Sequence, residues 1–516
     1  MTRIKRHSFV ILPTIAFLLL GWAWAFASPP GSSADEGFHM STIWCAWGPS
    51  ESCEASTIPD TVMVPDRVAN ASCFAQQGFS DASCIYERTD WLVEAGTVDG
   101  SSRSYPPVFH KVMRAFVGPN VNQSVLFMRM FNVALAGALL ALALAVSKPA
   151  VRRAVALSWM VCLVPMGIFF IASVNPSGWA ITGGGLFWAF FYTLLVEPSY
   201  KTPRAIAAII GACLCAVVAL GARADSAIVI VISMVASGVV AWPHLRERVN
   251  RLWLGLLVIP IVIVAALFNV GRYLHADLRF PAGNPEFDQP NALLKMLLEL
   301  PSFLAGIIGG QSPLWSQRAS TNDSELPGFS WPGFSYGVGA LDVQNPEISG
   351  LLVLACVAGV IFLGFRSYSA RKILAVALIF GALIAQIIIT RALAGFQPEG
   401  SLQPRYVFAL VLVGVGFSAL VFPRSLSPVN RGQALLIVAA LTIADAASLM
   451  ATIGRFTYGQ AHSWTGISAQ PGWWWSVGPS PLALTIIGSA AGLVWLLAMA
   501  RIAVTAGKKR PVLTPS

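Results

Sequence analysis

Side chains able to move protons or grip phosphate are rare in this chain, so each one narrows the chemistry. Asp35 and Glu36 are adjacent carboxylates, followed by His39, in the stretch SPPGSSADEGFH that runs from Ser28 to His39. A carboxylate so placed can take a proton from an acceptor hydroxyl, or hold a divalent cation against a phosphate. The same residues also fit an acidic turn in which Asp35 caps a helix starting at GFHMSTIW. A second stretch sets Tyr105, the stiff pair Pro106 and Pro107, and His110 just ahead of an apolar run. Aromatics at that depth also serve as membrane-belt residues. Arg223 and Asp225 share a very short turn, where they can bind a lipid phosphate or pair with each other. Gln403-Pro404-Arg405-Tyr406 enters a late apolar run. An Arg held after a Pro suits bidentate phosphate recognition, and a snorkelling Arg is the alternative. Asp445 lies in the middle of an apolar run, where a lone carboxylate is costly and marks a functional site or a hydrogen-bonded neutral acid. No other mid-span charge accompanies it, which leaves a proton or ion relay thinly supported.

The elements that must position these groups are bilayer spans. Of the 516 residues, 56% are hydrophobic and only 11% charged, with mean hydropathy +0.67. Soluble domains carry about a quarter charged residues, so an ordinary globular enzyme is excluded, as are disordered and collagen-like chains. A spanning helix needs roughly 20 apolar residues. Runs of that kind occupy 9–27, 124–146, 154–173, 179–196, 205–221, 224–241, 252–270, 349–365, 373–390, 406–422, 433–453 and 482–502. The fold class expected is an all-α polytopic membrane protein of about twelve transmembrane helices with two large external loops.

Charge orients it. With a cytoplasmic N-terminus, the inner segments 1–8, 147–153, 197–204, 242–251, 366–372, 423–432 and 501–516 hold 20 Lys and Arg, against Glu197 and Glu247 as their only acids. The rest of the chain keeps 14 basic and 22 acidic residues. The formal net charge of +10 is therefore about +18 inside and −8 outside, a positive-inside signature rather than a nucleic-acid footprint. Both termini fall on the cytoplasmic side of a bacterial plasma membrane. Five segments follow: a first helix at 1–27, an external loop at 28–123, helices two to seven at 124–270, a second external loop at 271–348, and helices eight to twelve with a cytoplasmic tail at 349–516. Residues 291–309 are apolar but interrupted by Lys295, Glu299 and Pro301, which reads as an interfacial or re-entrant helix. Ala25-Phe26-Ala27 resembles a signal-cleavage site, but the long apolar run before it favours an uncleaved span.

Four of the eight cysteines, Cys45, Cys53, Cys73 and Cys84, gather in the first external loop, which suggests two disulfides in an oxidising compartment. Pairing nearest neighbours gives Cys45–Cys53 and Cys73–Cys84, and spacing alone does not decide it. A metal site is the alternative. The sequence names no cofactor. A divalent cation (Ca, Mg or Mn) is the one the carboxylates would accept, and Asp35 with Glu36 supply too few ligands alone. No P-loop, dinucleotide turn, nucleophile elbow or zincin helix stands in its required context. Gly183-Gly184-Gly185 lies inside a span and reads as close helix packing.

Several landmarks then align with one family. The Pro29…Asp35-Glu36…His39 opening, Tyr105-Pro106-Pro107, Asn175-Pro176-Ser177…Thr182-Gly183, Gly339-Ala340-Leu341-Asp342 and Gln403-Pro404-Arg405-Tyr406 occur in order. Together they resemble the domain of unknown function 2142 family of bacterial polytopic proteins, with Ala340 where that family has Trp. The family is similar in layout to membrane-embedded glycosyltransferases of the GT-C fold. That resemblance implies transfer of a sugar, arabinofuranose among the candidates, from a polyprenyl-phosphate donor to an envelope glycan or glycolipid on the external face. It makes Asp35 the candidate base and Glu36 its partner or metal ligand. His39, Arg405, Tyr406 and Arg223 become candidate donor-phosphate contacts, and Asp342, Tyr105 and His110 candidate acceptor-side residues. Trp44, Trp47, Trp331 and Trp473-Trp474-Trp475 suit sugar stacking or interfacial anchoring. A transporter or flippase using Asp445, Arg223 and Asp225, and a non-catalytic assembly scaffold, are the competing readings.

Overall fold

Apolar runs longer than a bilayer is thick fold as helices because a helix satisfies its own backbone groups where no water can. The computed structural model describes residues 4–75, 77, 80–97, 105–246, 338–339, 343, 345–393, 403–421, 427–459, 473–475 and 478–505. Among them nine helices are long and apolar enough to cross a membrane, and two shorter apolar ones, Ile348–Gly364 and Phe408–Ser418, accompany them. The apolar run 252–270, the interrupted helix 291–309, Asp342 and Trp331 lie outside the described residues.

Chain order is as follows. Helix α1 (Ile4–Phe26) leads into α2 (Glu36–Trp44), strands β1 (Glu54–Ala55) and β2 (Thr61–Pro65), the single turn α3 (Asp66–Ala69), β3 (Leu92–Gly96) and α4 (Val108–Arg114). Long helices follow: α5 (Val121–Val146), α6 (Pro149–Cys162) continued past a kink at Val164 by α7 (Ile168–Ile171), α8 (Pro176–Val196), α9 (Pro203–Ala222) and α10 (Ser226–Arg246). After these come α11 (Glu347–Gly364), α12 (Ala370–Leu393), α13 (Phe408–Ser418), α14 (Arg431–Tyr458) and α15 (Pro481–Val504).

Helix α8 and, beyond Arg153, the α6–α7 span are apolar all round and buried on every side. At Gly183, Gly184 and Gly185 of α8 a Cβ would meet, in turn, the backbone at Cys215 and Ala219, Val229 with Ala409, and Leu412. Three glycines in a row therefore let three neighbouring helices approach one turn, which is how small residues substitute for a hydrophobic driving force in lipid. The outermost helices show the opposite pattern. Ile206, Ile210, Leu214 and Val217 of α9 and Leu482, Ile486 and Ile487 of α15 are apolar and exposed, a face suited to acyl chains.

The polar segment after α1 caps one end of the bundle, called here the capped end. It departs from pure helix by an antiparallel sheet in the order β1-β2-β3, with Met63 opposite both Glu54 and Glu94. Two disulfides staple it, Cys45–Cys53 and Cys73–Cys84. Arg455 at the end of α14 docks the second stapled loop by donating to the carbonyls of Phe74 (3.0 Å), Ser80 (2.8 Å) and Gln77 (3.3 Å). Trp475 donates to the Phe26 carbonyl at 2.8 Å, and Trp474 is buried against Phe456. Trp44 is likewise enclosed in the core. These tryptophans pack rather than offer a free face to a sugar. Trp47 remains 64% exposed.

Candidate functional site

The site begins with a buried cation that the sequence pattern hid. Arg129 sits in the third turn of α5, fully buried, so Asp445 is not alone among intramembrane charges. Its Nη1 donates to the carbonyls of Ala25 (3.1 Å) and Ser28 (2.7 Å). Its Nη2 donates to the Pro29 carbonyl (2.8 Å), Ser32 Oγ (3.2 Å) and both oxygens of Glu36 (3.1 and 3.2 Å). Glu36 also accepts from the backbone N–H of Ser33 (2.9 Å) and Val174 (3.1 Å). A carboxylate offers about four acceptor positions, and here they are filled. The structure thus gives Glu36 to Arg129 rather than to a metal or to Asp35. The only sequence signal was one Arg shortly inside an apolar run, which passes for an interfacial residue.

Three further contacts shape the turn between α1 and α2. Asn175, the N-cap of α8, donates to the Ala34 carbonyl (2.7 Å) while its own oxygen accepts from Ser177 N–H (2.9 Å). Ala34 N–H donates to the Gly339 carbonyl (3.1 Å). Gly31 is left-handed at φ +79°, and a Cβ there would strike the Ala71 backbone at 2.4 Å. Asn132 of α5 supports the same corner, donating to the Ser173 carbonyl (2.8 Å) and accepting from Trp179 (2.8 Å). The outcome is Asp35 in the left-handed region at φ 62°, ψ 7°. That conformation costs a non-glycine residue about 1–3 kcal/mol and persists only where surrounding contacts over-determine it.

Asp35 occupies the N-cap position of α2, yet its side chain makes no cap hydrogen bond. Its Oδ2 instead accepts from Arg405 Nη2 at 2.5 Å, across 370 residues. The pair is asymmetric: the Arg405 side chain is 1% exposed and that of Asp35 is 41%. Arg405 stands in the turn Pro404–Tyr406 before α13, where Pro404 and the turn fix its backbone. The guanidinium lies 5.3 Å from the Phe170 ring and 5.0 Å from that of Tyr406, and Nη2 also reaches Tyr406 Oη at 3.3 Å. Its Nε and Nη1 are buried without a hydrogen-bond partner.

Around this pair stand four more of the sequence candidates. Arg223 forms a bidentate pair with Asp225 (3.0 and 2.7 Å) and lies 4.1 Å over the Tyr406 ring and 5.4 Å over that of Tyr105. Burial opposes its charge, but Asp225 beside it outweighs that and holds the guanidinium well above its usual range. Burial pushes the Tyr105 hydroxyl up. His39 Nδ1 lies 3.2 Å from His110 Nε2, and the His39 ring meets Tyr105 edge-on at 4.9 Å. Burial, then His110, Arg405 and Arg223, hold His39 well below the usual imidazole range. Burial pushes His110 down to about 4, against a hydrogen bond to the Pro106 backbone. Both rings are neutral at pH 7.

Asp35, His39, Tyr105, His110, Arg223, Arg405 and Tyr406 therefore converge, although they are drawn from four separate stretches of chain. Asp342 lies outside the described residues, but Gly339 of the same stretch touches Ala34. Asp445 stands apart in α14, its Oδ1 accepting from Trp24 at 3.0 Å and its Oδ2 pressed toward Gly492, where no Cβ would fit. Among the described residues it forms no ion pair. Nor do three or more His, Cys, Asp or Glu side chains gather there as metal ligands. Asp35 and Glu36 face two different guanidiniums, so the described donor set does not fit a divalent cation. What it can do is present a carboxylate to solvent above a buried, incompletely satisfied cation.

A family model described as a predicted membrane protein, DUF2142, matches residues 18–413. A search among curated proteins finds no match. Among solved structures, the chain is similar to the oligosaccharyltransferase of Archaeoglobus fulgidus in its apo form, at 11% identity and TM-score 0.32, covering 99% of this chain and 57% of that one. It is also similar to the same organism's AglB in complex with an inhibitory peptide and a dolichol-phosphate, at 12% identity and TM-score 0.32, covering 98% and 57%. The chain thus spans a little over half the length of these structures. At that score the likeness defines no fold by itself.

Proposed function

The chain belongs to the DUF2142 family of predicted membrane proteins, and on that premise we propose that it is a membrane-embedded glycosyltransferase of GT-C layout. The donor in this reading is a polyprenyl-phosphate sugar, arabinofuranose among the candidates, and the acceptor an envelope glycan or glycolipid. The single observation that carries it is the Asp35–Arg405 pair: an exposed carboxylate on a buried guanidinium whose Nε and Nη1 have no hydrogen-bond partner. Buried donors left unsatisfied are costly, and a phosphate supplies two acceptor oxygens in the bidentate geometry of Arg.

The steps follow from the chemistry of those groups. A lipid donor slides in between helices, and its phosphate meets the Nε–Nη1 edge of Arg405, with Arg223 adding a second positive charge. Phosphate binding competes with Asp35 for Arg405 and frees the carboxylate. Asp35 takes the proton of the acceptor hydroxyl; the hydroxyl oxygen attacks the anomeric carbon; the bond from that carbon to the phosphate oxygen breaks. The electron pair leaves on the phosphate, where Arg405 stabilises the growing charge, and a single displacement inverts the anomeric centre. The capped end faces outward in this reading, in line with the charge asymmetry of the loops.

The test is transfer of radiolabelled sugar from polyprenyl-phosphate donors to membranes carrying the wild type or Asp35→Asn. Wild-type transfer lost in Asp35→Asn supports the base. Full transfer by the variant removes Asp35 from that role, and no transfer with any donor shifts the reading to lipid translocation or a scaffold.

A further inference from the structure

The hydrogen bonds around the His39–His110 pair point to one placement of its protons. Pro106 has no N–H, so its backbone can only accept, and His110 donates to it. The other His110 nitrogen, Nε2, faces His39. A neutral imidazole has one N–H, so His110 Nε2 carries the lone pair and His39 Nδ1–H donates to it. His39 is neutral as well, which leaves its Nε2 as a lone pair. That atom is buried and has no hydrogen-bond partner.

We propose that His39 Nε2 is a hydrogen-bond acceptor subsite for a hydroxyl group of the ligand, on the sugar or the acceptor. It is then a specificity residue rather than a phosphate contact. Asp35 and His39 are four residues apart at the start of α2, with His39 N–H donating to the Asp35 carbonyl at 3.1 Å, and Arg405 bonds the first and acts electrostatically on the second. A phosphate oxygen would meet the Nε2 lone pair with another lone pair. A metal ion or an ammonium group would have to enter beside Arg405 and Arg223. Tyr105 meets the ring edge-on and His110 holds its far nitrogen. What remains is a neutral donor, and hydroxyls are what sugars present. The identity of that ligand rests on the function proposed above; the tautomer does not.

Two measurements test it, on the full chain in lipid nanodiscs. The first is 15N NMR of histidine-labelled protein, with the His39 signals assigned by their loss in His39→Asn. An Nδ1–H tautomer at His39 from pH 6 to 8 is expected, and an imidazolium or an Nε2–H tautomer there overturns the proposal. The second compares binding of farnesyl phosphate with that of farnesyl-phosphoryl pentofuranose and hexose. His39→Asn keeps a donor near the Nδ1 position and removes the acceptor, so it weakens the sugar-bearing lipid about tenfold while farnesyl phosphate is unchanged. His39→Gln, whose amide oxygen reaches the Nε2 position, restores most of that loss. Equal weakening of both lipids, no weakening of either, or no rescue by Gln overturns the subsite. If the wild type binds none of these lipids, the glycosyltransferase reading fails, and the NMR result alone decides the state of His39.

Discussion

Cations brace helices and turns at both ends of the bundle, and one cation at the capped end departs from that pattern. Away from the cap, cations finish helices. Arg152 donates to the carbonyls of Leu144 (2.6 Å), Ala145 (3.4 Å) and Ser147 (2.9 Å) past the end of α5. Lys372 reaches those of Gly364 (2.7 Å), Ser367 (3.0 Å) and Leu420 (2.6 Å), joining α11, α12 and the end of α13. Lys148 and Arg204 share Glu197, each at 3.3 Å. Arg152, Lys148 and Lys372 sit where preceding helices end and carbonyls lack partners, so they finish those helices. At the capped end Arg129 is used the same way, bracing a turn. Arg405 is different: one nitrogen holds Asp35, and Nε and Nη1 have no hydrogen-bond partner. Arg129 also leaves its Nε without a partner, so what sets Arg405 apart is a whole unpartnered Nε–Nη1 edge rather than burial or charge.

The sharpest way to break this contrast is at Asp35. Asp35→Asn keeps the shape and an acceptor oxygen for Arg405 but loses the base, so sugar transfer falls by about 10²–10⁴-fold, read as initial rates, a larger effect than its loss of stability. Arg129→Met should do the reverse. It strands a buried Glu36 and costs about 3–5 kcal/mol of stability, measured by unfolding in detergent. A double variant Arg129→Met with Glu36→Leu recovers much of the stability but not transfer, since the Asp35 turn is no longer braced.

Acid tests the neutral histidines. His39 and His110 bind protons more weakly folded than unfolded, so their contribution is intact above pH of about 6.5, the ordinary histidine value, and is lost as pH falls toward 4. His110 alone accounts for about 3 kcal/mol over that range, and His110→Gln flattens the unfolding profile. At the opposite end, Lys372→Met leaves three carbonyls unpaired. It lowers stability by about 1–3 kcal/mol without changing the transfer rate. A slower rate at unchanged fold would place function at that end too. The smallest effect expected is from EDTA, less than about twofold on transfer, because a buried guanidinium already neutralises the phosphate in the proposed step.

Much of the framework was legible along the chain, because a bilayer imposes length and polarity rules that survive without tertiary knowledge. The described helices follow the apolar runs; the expected run at 406–422 appears as the shorter α13, since Pro404 and Tyr406 end in a tight turn. The disulfide partners are neighbours in sequence, so the shortest pairing is the one made. The site was legible only as scattered motifs. Asp35 and Glu36 are identical in kind and adjacent, and nothing local says that one faces solvent and the other a buried Arg. Asp35 reads equally well as a helix cap, and it takes the cap position without the cap bond. Trp44, a plausible sugar platform by composition, is core.

By itself, then, the amino-acid order determined which segments are long and apolar enough to cross a bilayer, and which polar residues flank them. Those properties depend on transfer free energy and spacing, which are local. Tertiary structure decided which charges meet. Arg405 lies 370 residues from Asp35 and Arg129 lies 93 from Glu36, and only the packing of α5, α8 and α13 around the turn after α1 assigns each carboxylate its partner. Hydrogen-bond satisfaction is a property of three-dimensional neighbours, so a buried cation with two unpartnered nitrogens, Arg405 among the described residues, emerges only from the packing.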